Sequence, residues 1–431
     1  MGKTEKHQNA LFLVNALKVI LSTFTTTFLT SHIVNLTPDN ILGQGVFNIG
    51  LMYCCQFAAY IVIYFILSYL SKKTNRAVFF RMGIVIYAIL LVAIVLFGED
   101  IAELIELTGV LLGVGEAFYA SSYIVIKNEL VSQQNILHSN LKSMKMTNTL
   151  TSFTPIVLGF LIDYTTYPRI AFFAIVIAII QFLVSFRVKP EEPIDTTFRL
   201  KDYWSYLKRN KYYGKKVKVT YFDALFAGVK NTYKILSVIL TIYIFKTNIS
   251  LGIITTVFSF ITNFLLKRYK KSESVSKKSK LLAYLALGFL PFFSACAFVY
   301  YPDKITLIIL NGFLHLATQF SEYFGNCERD AIIKNINHQE FIAEHQFIYE
   351  FFMTLSIIGS YGLFMYVGLN PSTEAFQILL LAFTLVNPIR FILLYIQRKV
   401  RIKLEYKNNQ DSYAFNKEYQ DFYVIPDEDN K

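Results

Sequence analysis

Charged residues are scarce in this chain, 17% of 431, against about 25% in an ordinary soluble domain. So little ionic surface excludes a protein that faces water on every side. Cysteine is also rare: Cys54, Cys55, Cys296 and Cys327 all fall in apolar stretches without metal-ligand spacing, which leaves them as small apolar packing groups. His7, His32, His138, His315, His338 and His345 are scattered. They do not form the cluster of nucleophile, base or metal ligands that hydrolytic or transferase chemistry needs, so neither an enzyme nor a cofactor is expected. A loop of the form G-x-x-x-x-G-K-S/T is missing, which argues against ATP as a driving force. The alternating segments of about 10 residues that a membrane barrel would require are missing too.

Apolar residues are what the chain has in quantity: 54% are hydrophobic, 16% are aromatic, and the mean hydropathy is +0.42. Stretches of about 20 such residues, each enough for a hydrocarbon core of roughly 30 Å, recur along almost the whole length. Twelve membrane spans are predicted, at about 10–32, 46–70, 78–97, 102–127, 142–164, 168–187, 218–245, 249–267, 281–300, 304–327, 342–367 and 374–397. They should be helices, because a backbone in lipid must satisfy its polar groups within its own segment.

The formal charge is +12, and the bases fall on alternate connections: Lys72, Lys73 and Arg76 after the second span, Lys142 and Lys145 after the fourth, the 199–218 region after the sixth, Lys267 to Lys280 after the eighth, Arg398 to Lys403 after the twelfth. The other connections, such as 35–39 and 368–373, have almost none. The positive-inside rule then puts both termini in the cytoplasm, which requires an even number of spans. The basic excess is a topology signal, and no nucleic-acid partner is expected. The first ten residues are polar and lead into a span too long and too rich in threonine to be a cleaved signal, so that span is expected to be retained.

The organisation expected is a cytoplasmic N-terminus over 1–9, a six-helix bundle over 10–187, a basic cytoplasmic loop over 188–217, a second six-helix bundle over 218–398 and a cytoplasmic polar tail over 399–431. In the central loop, Leu200, Tyr203, Trp204 and Leu207 share one helical face, which fits a helix on the membrane surface or, alternatively, a solvated linker. The halves are faintly alike. Val14-Asn-Ala-Leu17 aligns with Phe222-Asp-Ala-Leu225, Leu70-Ser-Lys-Lys73 with Val275-Ser-Lys-Lys278, and Leu107-Thr-Gly-Val-Leu111 with Leu310-Asn-Gly-Phe-Leu314, at displacements of 208, 205 and 203 residues. Three matches in order at nearly one offset suggest a parallel repeat, a construction that places a transport site at the interface of the halves near the midplane.

Over roughly residues 10 to 400 the chain resembles the major facilitator superfamily in its twelve spans, its long basic central loop, and its basic turns after spans two and eight. The loop Leu70-Ser-Lys-Lys-Thr-Asn-Arg76 keeps the bases of the family's signature but lacks its glycine and its acid. The resemblance implies an all-α membrane protein of two parallel-repeat six-helix bundles, with spans one, four, seven and ten lining a central cavity. The most unusual polar residues lie on those four spans.

A charge at the bilayer centre costs about 2.5–3.5 kcal/mol on insertion scales, so such residues face a cavity or a partner. Glu116 lies near the midplane on one face with Tyr119, either as a proton-binding carboxylate facing a cavity or as a protonated acid bonded to a neighbouring helix. Asp223, Lys230 and Lys234 share a face of span seven, with Asn231 and Tyr233 nearby. Lysines at i, i+4 repel, so they need an anionic ligand or acidic partners such as Glu116, Glu322 or Glu350. Lys18 either joins this set or snorkels to the interface. Thr25, Thr26 and Thr27 line a cavity or bond their own backbone. His345 reads as a hydrogen-bonded spacer, the Glu328 to Asp330 cluster as an ion-pair network at the inner surface, and Arg390 as close enough to the inner edge to snorkel. Gly109, Gly113 and Gly115 leave room for close helix approach.

These residues predict a secondary transporter of the plasma membrane that acts as a monomer, with a small solute and a proton or other coupling ion as partners. Glu116, Glu322 and Glu350 are the candidate proton sites. Lys18, Tyr119, Asp223, Lys230, Asn231 and Lys234 are the candidate solute contacts, and the lysines suggest an anionic solute. Alternatives are an exporter or flippase of amphiphiles with an aromatic cavity, and a membrane sensor or scaffold that keeps the fold without turnover.

Overall fold

A computed structural model describes residues 3–37, 40–70, 75–130, 142–143, 146–147, 152–189, 198–209, 211–271, 277–335 and 341–408. Its elements are helices throughout. In chain order they are α1 (Lys3–Ser22), a π-helical turn (Thr23–Phe28), α2 (Leu29–Asn35), α3 (Val46–Leu70), α4 (Arg76–Phe97), α5 (Ile105–Leu130), α6 (Thr154–Tyr164), α7 (Tyr167–Ser185), α8 (Leu200–Arg209), α9 (Lys211–Phe245), α10 (Asn248–Lys271), α11 (Lys277–Tyr300), α12 (Lys304–Asn335), α13 (Ile342–Leu369) and α14 (Thr373–Asn408).

The sequence marks several of the boundaries. Asn75 caps α4 by accepting from the Ala77 N–H at 2.9 Å. Gly98, at φ 58°, ends that helix in a conformation that a side chain disfavours. Pro155 and Pro168 sit in the first turns of α6 and α7, where no backbone donor is needed. Before α12, Asp303 accepts from the Thr306 N–H at 2.7 Å and from its hydroxyl at 2.8 Å, and these bonds hold its carboxyl below the usual carboxylate range.

Among the described residues, ten helices are long and apolar enough to cross a membrane. The fifth expected span carries the helix Thr154–Tyr164, and 144–145 and 148–151 of its first half lie outside the described residues. The tenth, α12, is a 32-residue helix of lower apolarity because Asn311, His315, Thr318 and Gln319 interrupt it. Four helices run seven or more residues past the expected edges of their spans. The first begins at Lys3 instead of residue 10, α9 at Lys211 instead of 218, α12 continues to Asn335 instead of stopping at 327, and α14 to Asn408 instead of 397. A helix leaving lipid need not end there, and the charged sequence beyond each edge continues the same hydrogen-bond ladder.

The outer surface is apolar, as lipid requires: Phe172, Phe173, Leu183, Phe264 and Ile378 are all exposed. Polar groups point inward instead, among them Thr30, Ser31, Thr241 and Thr384. The end of the bundle holding the start of α1 is called proximal here, and the end holding Asn35 and Asn248 distal. Across the two halves, α3 packs along α13, α6 along α10, and α2 touches α9. Within the first half α3 and α5 meet at backbone distance, since Gly109 faces the Met52 carbonyl and Gly113 the Gln56 carbonyl with no space for a Cβ. That close approach, expected from the sequence, fixes the depth of Glu116 on α5.

Candidate functional site

Six helices deliver the intramembrane charges, and the structure sorts most of them into pairs. Lys18 of α1 donates to Glu116 Oε2 of α5 at 2.5 Å, and the Tyr87 hydroxyl of α4 donates to the same oxygen at 2.5 Å. The ammonium also lies over the Tyr87 and Tyr119 rings, 5.5 and 5.4 Å from their centroids. Tyr119 is buried between Phe80 and Tyr123 and directs its hydroxyl toward Asn15 at 3.4 Å. Lys18 therefore turns inward to an acid and does not snorkel.

On α9 the three charges that share a face go to three different places. Asp223 accepts from Arg390 of α14 at 3.4 Å, and Arg390 also donates to the Ser321 hydroxyl at 3.0 Å. Lys230 donates to Glu322 of α12 at 2.7 Å. Lys234 makes no ion pair or hydrogen bond among the described residues and lines a cavity. Asn231 is half-buried and does not line that cavity. The expectation that Arg390 snorkels is corrected: its side chain is only 4% exposed, because α9 and α12 surround it and supply both of its partners.

Glu350 of α13 is held differently. Tyr60 of α3, from the other half, donates to one carboxylate oxygen at 2.9 Å, and Gln346 donates to the other at 2.8 Å. Both donors are neutral. Nearer the proximal end, Tyr203 of α8 and Tyr221 of α9 converge on His345 Nδ1, each at 2.9 Å, and the Arg199 N–H donates to Glu344 at 2.7 Å. His345 is thus a hydrogen-bonded spacer, and α8 docks through buried Tyr203 and Leu207 onto the second half. Arg329 donates to Asn326 at 3.0 Å and lies over the Tyr349 ring, while the Asp330 side chain is outside the described residues.

The cavity is about 160 Å³ and lies between the halves, walled by α1 and its π turn, by Pro155 of α6, and by α9, α10 and α12. Lys234 is its charged residue, joined by His315 and Gln319 of α12 and by a series of hydroxyls. Thr25 and Thr26 bond the Leu21 and Ser22 carbonyls at 3.0 and 2.6 Å, whereas Thr27 lines the cavity, so the threonine run divides between its two expected roles. Ser237, Asn311, His315 and Gln319 were not singled out from the sequence. The signal available was the low apolarity of span ten.

At the distal end, Asp163 of α6 accepts from the N–H groups of Asn248 and Ile249 at 3.2 and 2.9 Å and from the Asn248 amide at 2.7 Å. An acid of one half thus caps the first turn of α10 in the other. Ser31 of α2 adds a bond to Asn248 Oδ1 at 2.5 Å. Replacing Asp163 with Asn should weaken this latch and raise the reactivity of a cysteine at Ser31 toward a membrane-impermeant thiol reagent. Unchanged reactivity would show that the cap does not hold the distal end shut.

The chain can be placed among known proteins. The family model described as Major Facilitator Superfamily matches residues 14–322. Uncharacterized protein YqgE of Bacillus subtilis (strain 168) is 25% identical over 236 residues, covering 52% of this chain and 53% of that protein, so the chain spans about half the length of this curated relative. The crystal structure of the human organic anion transporter MFSD10 (TETRAN) is similar in fold, with a TM-score of 0.62 at 12% identity over 91% of this chain and 100% of that one. With the family match spanning well over half of a chain that has the helical architecture described above, the protein belongs to the Major Facilitator Superfamily.

Proposed function

We propose that the protein is a proton-coupled secondary transporter that moves a small anionic solute by alternating access, with Glu350 as the residue that carries the coupling proton. It works as a monomer in the plasma membrane with both termini cytoplasmic, which makes the distal end the outer one, and it has no catalytic role.

The observation that carries this reading is the contrast between the three candidate acids. Glu116 and Glu322 each sit at ion-pair distance from a lysine, while Glu350 accepts from Tyr60 and Gln346 and makes no ion pair among the described residues. A carboxyl held by neutral donors can gain or lose a proton without breaking an ion pair. Because Tyr60 belongs to one half and Glu350 to the other, that proton also changes a bond between the moving parts. The further charged groups near Glu350 are Arg329 of α12 and Glu116 of α5.

Lys234 at the cavity supports an anionic solute, because Glu322, the acid whose charge it feels, is already bonded to Lys230. MFSD10 is an organic anion transporter, but at 12% identity that likeness concerns the fold, and the case here rests on Lys234. The cavity size favours a small solute over an amphiphile, since drug-sized ligands occupy roughly 300–1,000 Å³.

The test is proton movement into proteoliposomes that hold the purified protein and a pH dye, as anionic, neutral and cationic solutes are added. Solute-dependent proton flux is expected for the wild type and for no Glu350→Gln protein, while solute exchange at equal pH persists in the variant. Flux that survives Glu350→Gln and disappears in Glu116→Gln would move the role to Glu116. Solute flux without protons in the wild type would make the protein a uniporter.

A further inference from the structure

The hydrogen bonds around the cavity say which kind of anion fits it, an inference that rests on the anionic-solute reading just given. Most of the hydroxyl protons are already committed to the protein. Thr23 donates to the Val19 carbonyl at 2.9 Å, Thr241 to Ser237 at 2.7 Å, Thr255 to Leu251 at 2.8 Å and Ser259 to Thr255 at 2.8 Å. Ser237 donates to Asn311 Oδ1. Because the Ser259 proton is committed, His315 Nε2 must be the donor in its 3.2 Å contact with that hydroxyl. Of these, Thr255 and Ser259 are half-buried and offer lone pairs to the cavity but no protons, whereas Thr241 is fully buried and already accepts from the Asn311 amide at 2.9 Å.

The cavity also has unused donors. Lys234 and the Gln319 amide make no bond among the described residues and both line the cavity. Glu322 is the acid near Lys234, but it is already bonded to Lys230, so two ammonium groups share one carboxylate and a bound anion would balance the second. The volume of about 160 Å³ lies below the roughly 300–1,000 Å³ of drug-sized sites, which favours a compact solute.

We propose that this cavity is a binding site for a compact organic monoanion that carries its own hydroxyl donor: Lys234 and Gln319 take the anionic group, and the lone pairs of Thr255 and Ser259 take the hydroxyl proton. An unsubstituted fatty acid of the same size fills the space but leaves the hydroxyl wall unmatched. A neutral polyol leaves Lys234 unmatched.

The experiment is thermal unfolding of the purified full chain in detergent, which needs neither transport nor protons and so stands apart from the liposome test. The probes are lactate, glycerate and threonate, with propionate, butyrate, glycerol and inorganic phosphate as controls. At least one hydroxy acid is expected to raise the unfolding midpoint of the wild type, with an apparent affinity reduced by at least about tenfold in Lys234→Gln, partly restored in Lys234→Arg and weakened in Gln319→Ala. The proposal is overturned if no hydroxy acid shifts the midpoint, if the shift is unaltered in Lys234→Gln, or if propionate, butyrate, glycerol or phosphate stabilises as well. Should the proton test fail while these shifts appear, the site stands and only the coupling is lost.

Discussion

Arg390→Ala is expected to destabilise the folded protein by about 3–5 kcal/mol, the usual cost of leaving one member of a buried ion pair behind. Asp223 would remain with its side chain 3% exposed and its guanidinium partner gone. Lys230, the next cation along α9, is already bonded to Glu322. Ser321 would lose its donor at the same time. Removing both charges should be far less harmful, because apolar groups of similar size need no counter-charge: Asp223→Leu combined with Arg390→Met is expected to recover most of the loss. Unfolding midpoints of the single and double variants in detergent check this. A double variant as unstable as Arg390→Ala would show that the pair's contribution is packing and not charge.

Gly159→Leu is expected to abolish net transport while leaving the fold intact. Gly159 of α6 faces the Asn248 carbonyl of α10 so closely that a Cβ would collide with it, and Gly252 of α10 faces the Pro155 carbonyl in the same way. On the other side of the bundle, Gly50 meets Met365 and Gly368 meets Phe47 across α3 and α13. A leucine at 159 is therefore a wedge in the distal seam and spares the interior of either half. Overpacking costs about 1–3 kcal/mol, and a shift of that size moves an equilibrium between two states by about 5- to 150-fold. A cysteine at Ser31, in a background lacking Cys54, Cys55, Cys296 and Cys327, should become more reactive toward impermeant reagents in proportion. A monodisperse variant that transports normally would show that α6 and α10 need not close.

The intramembrane charges were legible in the sequence because lipid makes them conspicuous, whatever their partners. Lys18, Glu116, Lys230 and Glu322 stood out on that basis, but the pairing did not. The two pairs join residues 98 and 92 positions apart on different helices, and periodicity speaks only of one helix at a time. Asp223, Lys230 and Lys234 do share a helical face, yet a face touches several neighbours, so one face served Arg390, Glu322 and the cavity. The depth of Arg390 is hidden from the sequence because apolarity fades near 397, whereas α14 runs on to Asn408. The hydroxyl wall escaped notice because serine and threonine are unremarkable in a membrane helix, where they bond their own backbone. The π turn over Thr23–Phe28 had no signature beyond a cluster of threonines.

The glycine seams have an entropic consequence. Ordering a long side chain such as methionine, glutamine or lysine costs about 1.5–2 kcal/mol in lost rotamers, whereas glycine has none to lose. Where Gly159 and Gly252 meet main-chain carbonyls, two smooth surfaces come together without side chains having to settle first. Parting them frees correspondingly little. The shut and open arrangements of the distal end thus stay close in conformational freedom, and the choice between them passes to whatever few polar contacts and bound solute favour one over the other.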